Sequence, residues 1–347
     1  MKRRTTMIAA GLALALFAWT LVWMLAANRI VQRFDEWRAQ QAAAGVAIEY
    51  ENFEVKGWPF GWRAIVEKPS AKGAGASRWA WSGERLVASV DPRDLSTLSL
   101  RLPGEQVAHF GAGDLEANLA LRAADPQARL AFDDKGRVAR LDVEFEAAEL
   151  KSDFTAEPLA ARRLALTLSP HRPENATHET DVLDVSLRAN AVRLPVPAPA
   201  LAALGRDLAF LELDARVQGR IVGDTLAKAL GAWRDDGGTL DVTRLALAWG
   251  PLQFAGDGTL ALDAENRPMG AATARIAGYG ETIDALAQSG SIQPTVGALM
   301  KVAMNFLARI DPLAGNRQTV TVPISAQDGI VSVERFKLFR VPPLKLD

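Results

Sequence analysis

Few side chains in this 347-residue sequence have a type and spacing suited to chemistry. There are three histidines, His109, His171 and His178. The last two share the polar run Pro170 to Thr180, too far apart for adjacent turns of one helix, and no acidic ligand pattern surrounds them. Two pairs of adjacent acids, Asp133-Asp134 and Asp235-Asp236, stand beside glycine. Paired carboxylates can act as acid and base, but Asp next to Gly is first of all turn chemistry. Asp133, Asp134 and Gly136 do not complete a calcium loop. No G-x-S-x-G elbow, G-x-x-x-x-G-K-[ST], H-E-x-x-H or dinucleotide fingerprint after a strand is present. Cysteine is absent, which removes thiolate nucleophiles, disulfides and Cys-ligated metals. A formal net charge of −1 argues against a nucleic-acid partner. The expectation is a non-enzymatic protein with no catalytic residue, cofactor or metal.

The stretch that organises the chain is apolar instead. Met7 to Ala27 contains no charged residue. At about 1.5 Å per residue it forms a helix of about 30 Å, the hydrocarbon thickness of a bilayer. Lys2, Arg3 and Arg4 precede it, and Arg29 and Arg33 follow. A cleaved signal peptide has a shorter apolar core ending in small residues. Here Trp19 and Trp23 stand near the end of the core, where an interfacial aromatic belt would lie. The reading is an uncleaved anchor: a cytoplasmic tail over 1–6, a span over 7–27, and the rest of the chain in the periplasm of a bacterial inner membrane. Asn28 to Ala44 continues as a juxtamembrane helix, with Gly45 as its stop.

Beyond Gly45 the apolar period changes from helical to two. Hydrophobic content is 49% and charged content 23%, enough to build a core. Val46, Ile48 and Tyr50 begin a strand, with a slip at Asn52 that reads as a bulge. Phe53 and Val55 lead into the aromatic turn Gly57-Trp58-Pro59-Phe60-Gly61-Trp62, and Ala64 to Val66 return. Lys68 to Arg78 reads as a loop. Leu115, Leu119 and Leu121 alternate with polar or small residues, as do Leu141, Val143 and Phe145 after the Asp133 to Gly136 turn. Leu164 to Leu168 and Val185 to Leu187 repeat the pattern. Leu194 to Pro199 is a Pro-punctuated soft boundary that divides the β-rich body into 46–194 and 195–347. A short helix follows at Ala198 to Leu208. Asp224 is an N-cap for a helix to Trp233, and helices are expected over Glu281 to Gln288 and Pro294 to Ile310. In the last of these, Val296, Met300, Met304 and Leu307 share one face and read as core.

The fold class is therefore mainly β with some α (α+β). An N-terminal transmembrane helix precedes an elongated, curved antiparallel sheet with a few C-terminal helices. One-sided strands with few helices to cover them leave an apolar face, and such faces want a ligand or partner. The candidate face is Leu115, Leu119, Leu121, Leu141, Val143 and Phe145. It suits a lipid or another apolar ligand; a flat patch would instead suit another envelope protein, making the chain a scaffold.

The anchor, the Gly57-Trp58-Pro59-Phe60 turn, Gly256 to Asp263 with Arg267-Pro268, and Asp328-Gly329-Ile330 with Val341-Pro342-Pro343-Leu344 together resemble the alphaproteobacterial family called domain of unknown function 2125. The layout is also similar to AsmA-like envelope proteins. The wider resemblance implies lipid transport between membranes and transfers no functional residue.

Overall fold

The computed structural model describes residues 2–73, 77–112, 115–195, 199–223, 226–311, 317–333 and 336–344. The chain forms two compact units: residues 1–137 with 152–154, and residues 138–151 with 155–347. Strand pairing is antiparallel throughout the registers quoted below.

The first unit opens with one unbroken helix, α1 (Lys2–Ala43). The apolar stretch and the juxtamembrane segment are a single rod, ended by Gly45 at φ 83°. Beyond the apolar stretch, α1 docks through aromatics: Phe34 stacks on Phe53 at 4.5 Å and meets Tyr50 at 5.6 Å. Arg38 lies over the Tyr50 ring at 5.3 Å. The strands then alternate between two ladders. One joins β1 (Val46–Glu49), β4 (Ser70–Gly73), β5 (Ser77–Gly83), β8 (Gln106–Ala112) and β9 (Leu115–Arg122) in that order. The other joins β2 (Asn52–Lys56), β3 (Trp62–Glu67), β6 (Arg85–Asp91), β7 (Asp94–Arg101) and β10 (Gln127–Phe132). This corrects two expectations. The slip near Asn52 is a change of ladder, not a bulge. The run Lys68 to Arg78 is not all loop, because Ser70–Gly73 forms β4; its small and polar residues pair through backbone alone and carry no apolar alternation.

The second unit is a meander of long strands: β11 (Val138–Ser152), β12 (Thr155–Pro170), β13 (Asp181–Arg193), β14 (Asp207–Gln218), β15 (Thr239–Trp249), β16 (Leu252–Leu262) and β17 (Pro268–Ala277). After β17 come α3 (Tyr279–Gln288), α4 (Pro294–Leu307) and β18 (Arg309–Asp311). Then β19 (Arg317–Gln327) pairs back onto β17, with β20 (Ile330–Val333) and β21 (Phe336–Arg340) beyond. The Leu194 to Pro199 break lies inside this unit, joining β13 to its partner β14. The expected helix there is a 3-10 helix, Pro199–Leu204, since Asp207 already enters the sheet.

Register brings the apolar residues of the meander into continuous rows. Leu166 faces Leu187, Leu187 faces Leu213, Leu213 faces Leu245, and the row continues through Gly256 and Ala274 to Val322. A second row runs Leu164, Ala189, Leu211, Leu247, Phe254, Ile276, Val320 through the same ladders. The helices α3 and α4 roof the β16–β19 end, where Tyr279 and Ile283 pack on Ala274, Val320 and Val322. The face of α4 used for this is not the one expected. Gly297 is buried against Ile283 and Ile292, and Met304 joins the core, whereas Val296, Met300 and Leu307 are exposed. Close approach is set by the glycine, which presents no side chain and so leaves no hydrophobic signal.

The turn after β10 and the turn between β16 and β17 are built alike. Asp133 Oδ1 accepts from the backbone N–H of Lys135 and of Arg137, both at 2.9 Å, and Arg137 Nε donates to Asp133 Oδ2 at 2.8 Å. Asp263 repeats the arrangement with Glu265 and Arg267. Neither acid is poised for proton transfer. The Arg137 side chain, then its backbone N–H, hold Asp133 down at about 2. Because the folded value lies below the ordinary 3.8, this contribution to stability is present above about pH 4 and is lost as pH falls through 2. A carboxyl-carbon NMR titration should place the Asp133 midpoint near 2, moving toward 3.8 in Arg137→Ala. An unshifted midpoint in the unsubstituted chain contradicts this account of the turn.

Candidate apolar ligand site

The site grows from the helix α2 (Leu226–Asp235). Ala229, Leu230 and Trp233 recur at helical spacing and face the sheet. Asp224, the expected N-cap, lies outside the described residues. The helix stops where the sequence says it must: Gly237 takes φ 78°, its N–H reaches Arg234 O, and Gly238 N–H reaches Trp233 O at 2.8 Å. Two anchors fix its C-terminal turn. Trp233 Nε1 donates to Gln218 O of β14 at 2.7 Å, and Arg234 donates to Asn266 Oδ1 in the β16–β17 turn. Trp233 is thereby buried with its polar atom satisfied outside the cavity it lines. Gly238 makes room for the indole, since a Cβ there would fall 2.2 Å from Trp233 Nε1.

Between α2 and the meander lies a cavity of about 420 Å³. Its walls are Val217, Leu240, Leu260 to Leu262 and Pro268 from the strands, Ala229, Leu230 and Trp233 from the helix, and Ile221 and Leu344 at an exposed rim. Every one of these side chains is apolar. The volume falls within the roughly 300–1,000 Å³ typical of small-molecule sites. Walls without a polar side chain offer water few hydrogen-bonding partners. The floor is part of the meander: Val217 pairs with Leu240, and Leu240 with Leu260, in a further row across the same strands.

The six residues expected to form an apolar face divide between the two units. Leu119 and Leu121, both half-buried, pair with Ala108 and Gln106 in the first unit. Leu115 begins the same strand, and its side chain lies outside the described residues. Leu141, Val143 and Phe145 belong to β11 in the second unit. There Asp142 accepts from Thr167 Oγ1 at 2.7 Å and Glu144 pairs with Arg163, which turns the polar positions of β11 and β12 to one side. The alternate positions Leu141, Val143 and Phe145 therefore share the side of Leu164, Leu166 and Leu168. The cavity under α2 escaped the sequence reading because its walls come from several separated segments. The available signal was Trp233, a large apolar residue just before Asp235-Asp236-Gly237-Gly238.

The polar candidates are already engaged. His171 Nε2 lies 2.9 Å from Asp184 Oδ2, and His109 Nδ1 lies 2.8 Å from Asn118 Oδ1, both exposed. Among the described residues no group of three or more His, Cys, Asp or Glu could hold a metal ion. A polar groove of about 710 Å³ at the start of α3 contains Tyr279, Lys301, Asn305 and Gln318. Its Tyr279 hydroxyl donates to Asn305 Oδ1 at 2.8 Å, and Lys301 Nζ pairs with Asp284. Hydrogen bonds from Arg188 hold Asp214 below the usual carboxylate range, and those from Arg220 do the same for Asp236. These carboxylates are structural ion-pair partners, kept charged.

The packing of Gly238 on Trp233 yields a direct test. Gly238→Ala should push the indole toward the cavity and destabilise the fold by about 1–3 kcal/mol, the usual cost of overpacking. Urea unfolding followed by tryptophan emission reads both effects. An unchanged midpoint and spectrum would contradict the described packing.

No curated protein matches the chain. A bacterial family model, described as an uncharacterized protein conserved in bacteria (DUF2125), matches residues 23–342. The match runs from within α1 through the whole β-rich body to Pro342, and the chain therefore belongs to that family.

Proposed function

We propose that this is a non-enzymatic, membrane-anchored protein of the bacterial envelope whose second unit binds a lipid acyl chain. The cavity under α2 and the apolar rows that continue from it are the binding surface. The observation that carries this reading is the lining of the cavity, apolar at every residue and continuous with a half-buried apolar sheet face. Each methylene moved from water into such a place gains about 0.8 kcal/mol. The anchor reading is supported by the continuity of α1 from Lys2 to Ala43 and by the aromatic docking of Phe34 on the body. The charges preceding α1's apolar stretch favour a cytoplasmic N-terminus and a periplasmic body.

A protein partner is the second reading, favoured by α4. Its outer face exposes Leu299 (72%), Val302 and Phe306 (86%) together, more apolar surface than a solvated helix normally presents.

Native mass spectrometry of the full-length chain, extracted in mild detergent, separates the two. The expected spectrum carries bound phospholipid or fatty acid. Leu230→Asp with Leu260→Asp should lower retention at least about tenfold, because an unpaired carboxylate is costly in an apolar cavity. Near-UV circular dichroism checks that the variant is folded. A ligand-free spectrum from folded unsubstituted protein, or equal retention in the folded variant, overturns lipid binding.

A further inference from the structure

The tip of the β2–β3 hairpin, residues 57–62, does not stand out in water. It lies alongside the apolar stretch of α1. Trp19 Nε1 donates to Pro59 O and Trp23 Nε1 to Gly61 O, each at 2.7 Å. Returning bonds run from Trp62 Nε1 to Trp23 O and from Trp58 Nε1 to Thr20 Oγ1, each at 3.3 Å. Trp19 and Trp62 also meet ring to ring at 6.4 Å. The contacting part of α1, Trp19 to Trp23, lies six to ten residues before its first following charge, Arg29, or about 9–15 Å along the axis. In a bilayer spanned by Met7 to Ala27, that stretch lies four to eight residues inside the end of the span, about 6–12 Å into the hydrocarbon of the leaflet next to the body.

Two further features fit this depth. No residue from Gly57 to Trp62 is charged, and the flanking charges Lys56 and Arg63 stand at the strand ends. Two large side chains of the tip present surface outward: Phe60 is 87% exposed and Trp58, bonded to Thr20 through its indole nitrogen, 47%. Beside them α1 exposes Phe17, Leu21 and Met24. Several polar atoms of the tip, by contrast, have protein partners. The irregular backbone of the tip gives its Pro59 and Gly61 carbonyls to indole N–H groups, while Phe60 N–H and Gly61 N–H turn back to Gly57 O. Non-helical backbone survives at membrane depth when protein groups satisfy it in this way. The same bonds satisfy indole N–H groups that would otherwise face hydrocarbon.

We propose that the Gly57–Trp62 tip is a second membrane-contacting element, inserted with Phe60 and Trp58 into the hydrocarbon of the near leaflet beside α1, so that the first unit is held at fixed height and rotation on the bilayer. The occupant of this surface is the bilayer itself. This inference rests on the reading of α1 as a retained anchor.

The chain has no cysteine, so one introduced cysteine carries a unique spin label. The full-length protein is reconstituted in phosphatidylglycerol–phosphatidylcholine vesicles with labels at Leu21→Cys, Phe60→Cys, Trp58→Cys and, as a water control, Lys135→Cys. Collision with oxygen and with a water-soluble nickel complex reads depth. The expected result is loss of nickel accessibility at Phe60 and Trp58 to the level found at Leu21, with Lys135 fully accessible. Trp58 decides the matter if the Phe60 variant does not fold. Shielded Leu21 with nickel-accessible Phe60 and Trp58 overturns the proposal and leaves the anchor intact. Nickel-accessible Leu21 overturns the anchor reading and this inference with it.

Discussion

The second unit depends on one constraint: its strands are apolar on one face only, and that face is wider than the helices available to cover it. Alternation at period two commits each strand to a side, and register then aligns Leu166, Leu187, Leu213 and Leu245 across successive strands. The helices α3 and α4 cover the rows at Ala274 and Val320. Farther along, Leu194 and Trp249 pack on the cluster of Ala189, Val192 and Leu208, with Trp249 Nε1 donating to Gly205 O. Under α2 coverage is incomplete, and a cavity remains. The leucines of the first rows stay half-buried. Sheets of this kind are stable through burial, and their uncovered apolar area is the natural place for a hydrophobic ligand.

The opposite face follows from the same alternation. It carries cross-strand ion pairs, among them Arg188 with Asp214, Arg244 with Glu212 and Arg216 with Asp241. Each contributes little to stability at a solvated surface, about 0–1 kcal/mol. Their role is to hold register: a one-residue slip would place these charges over the leucine rows. The acid pairs noticed in the sequence fall under the same logic. Asp133 closes a turn, and Asp236 receives Arg220 at 2.6 and 3.0 Å.

Much of this was legible in the sequence because period and composition speak locally. The apolar stretch of α1, the long alternating strands and the Asp-Gly turns each announce themselves within a few residues. What stayed hidden was set by distance or by absence. The β4 strand has no apolar alternation, so Ser70–Gly73 resembled loop. The buried stripe of α4 begins at Gly297, where a missing side chain permits contact, while the visible methionine stripe faces partly outward. The cavity needs α2 folded across strands far apart in sequence, and periodicity within any one segment does not report that. Of the face chosen from sequence, Leu141, Val143 and Phe145 share a side with the leucine rows, whereas Leu119 and Leu121 belong to the other unit.

Where hydrocarbon sits on this protein is the central claim, and photolabelling reads it most directly. Full-length protein in vesicles doped with a diazirine-bearing fatty acid is irradiated, digested and mapped by mass spectrometry. The account predicts label on peptides carrying Leu230, Leu240 and Leu260, in addition to label along α1. Label confined to α1, with the second unit unmarked, would contradict acyl-chain binding in the cavity.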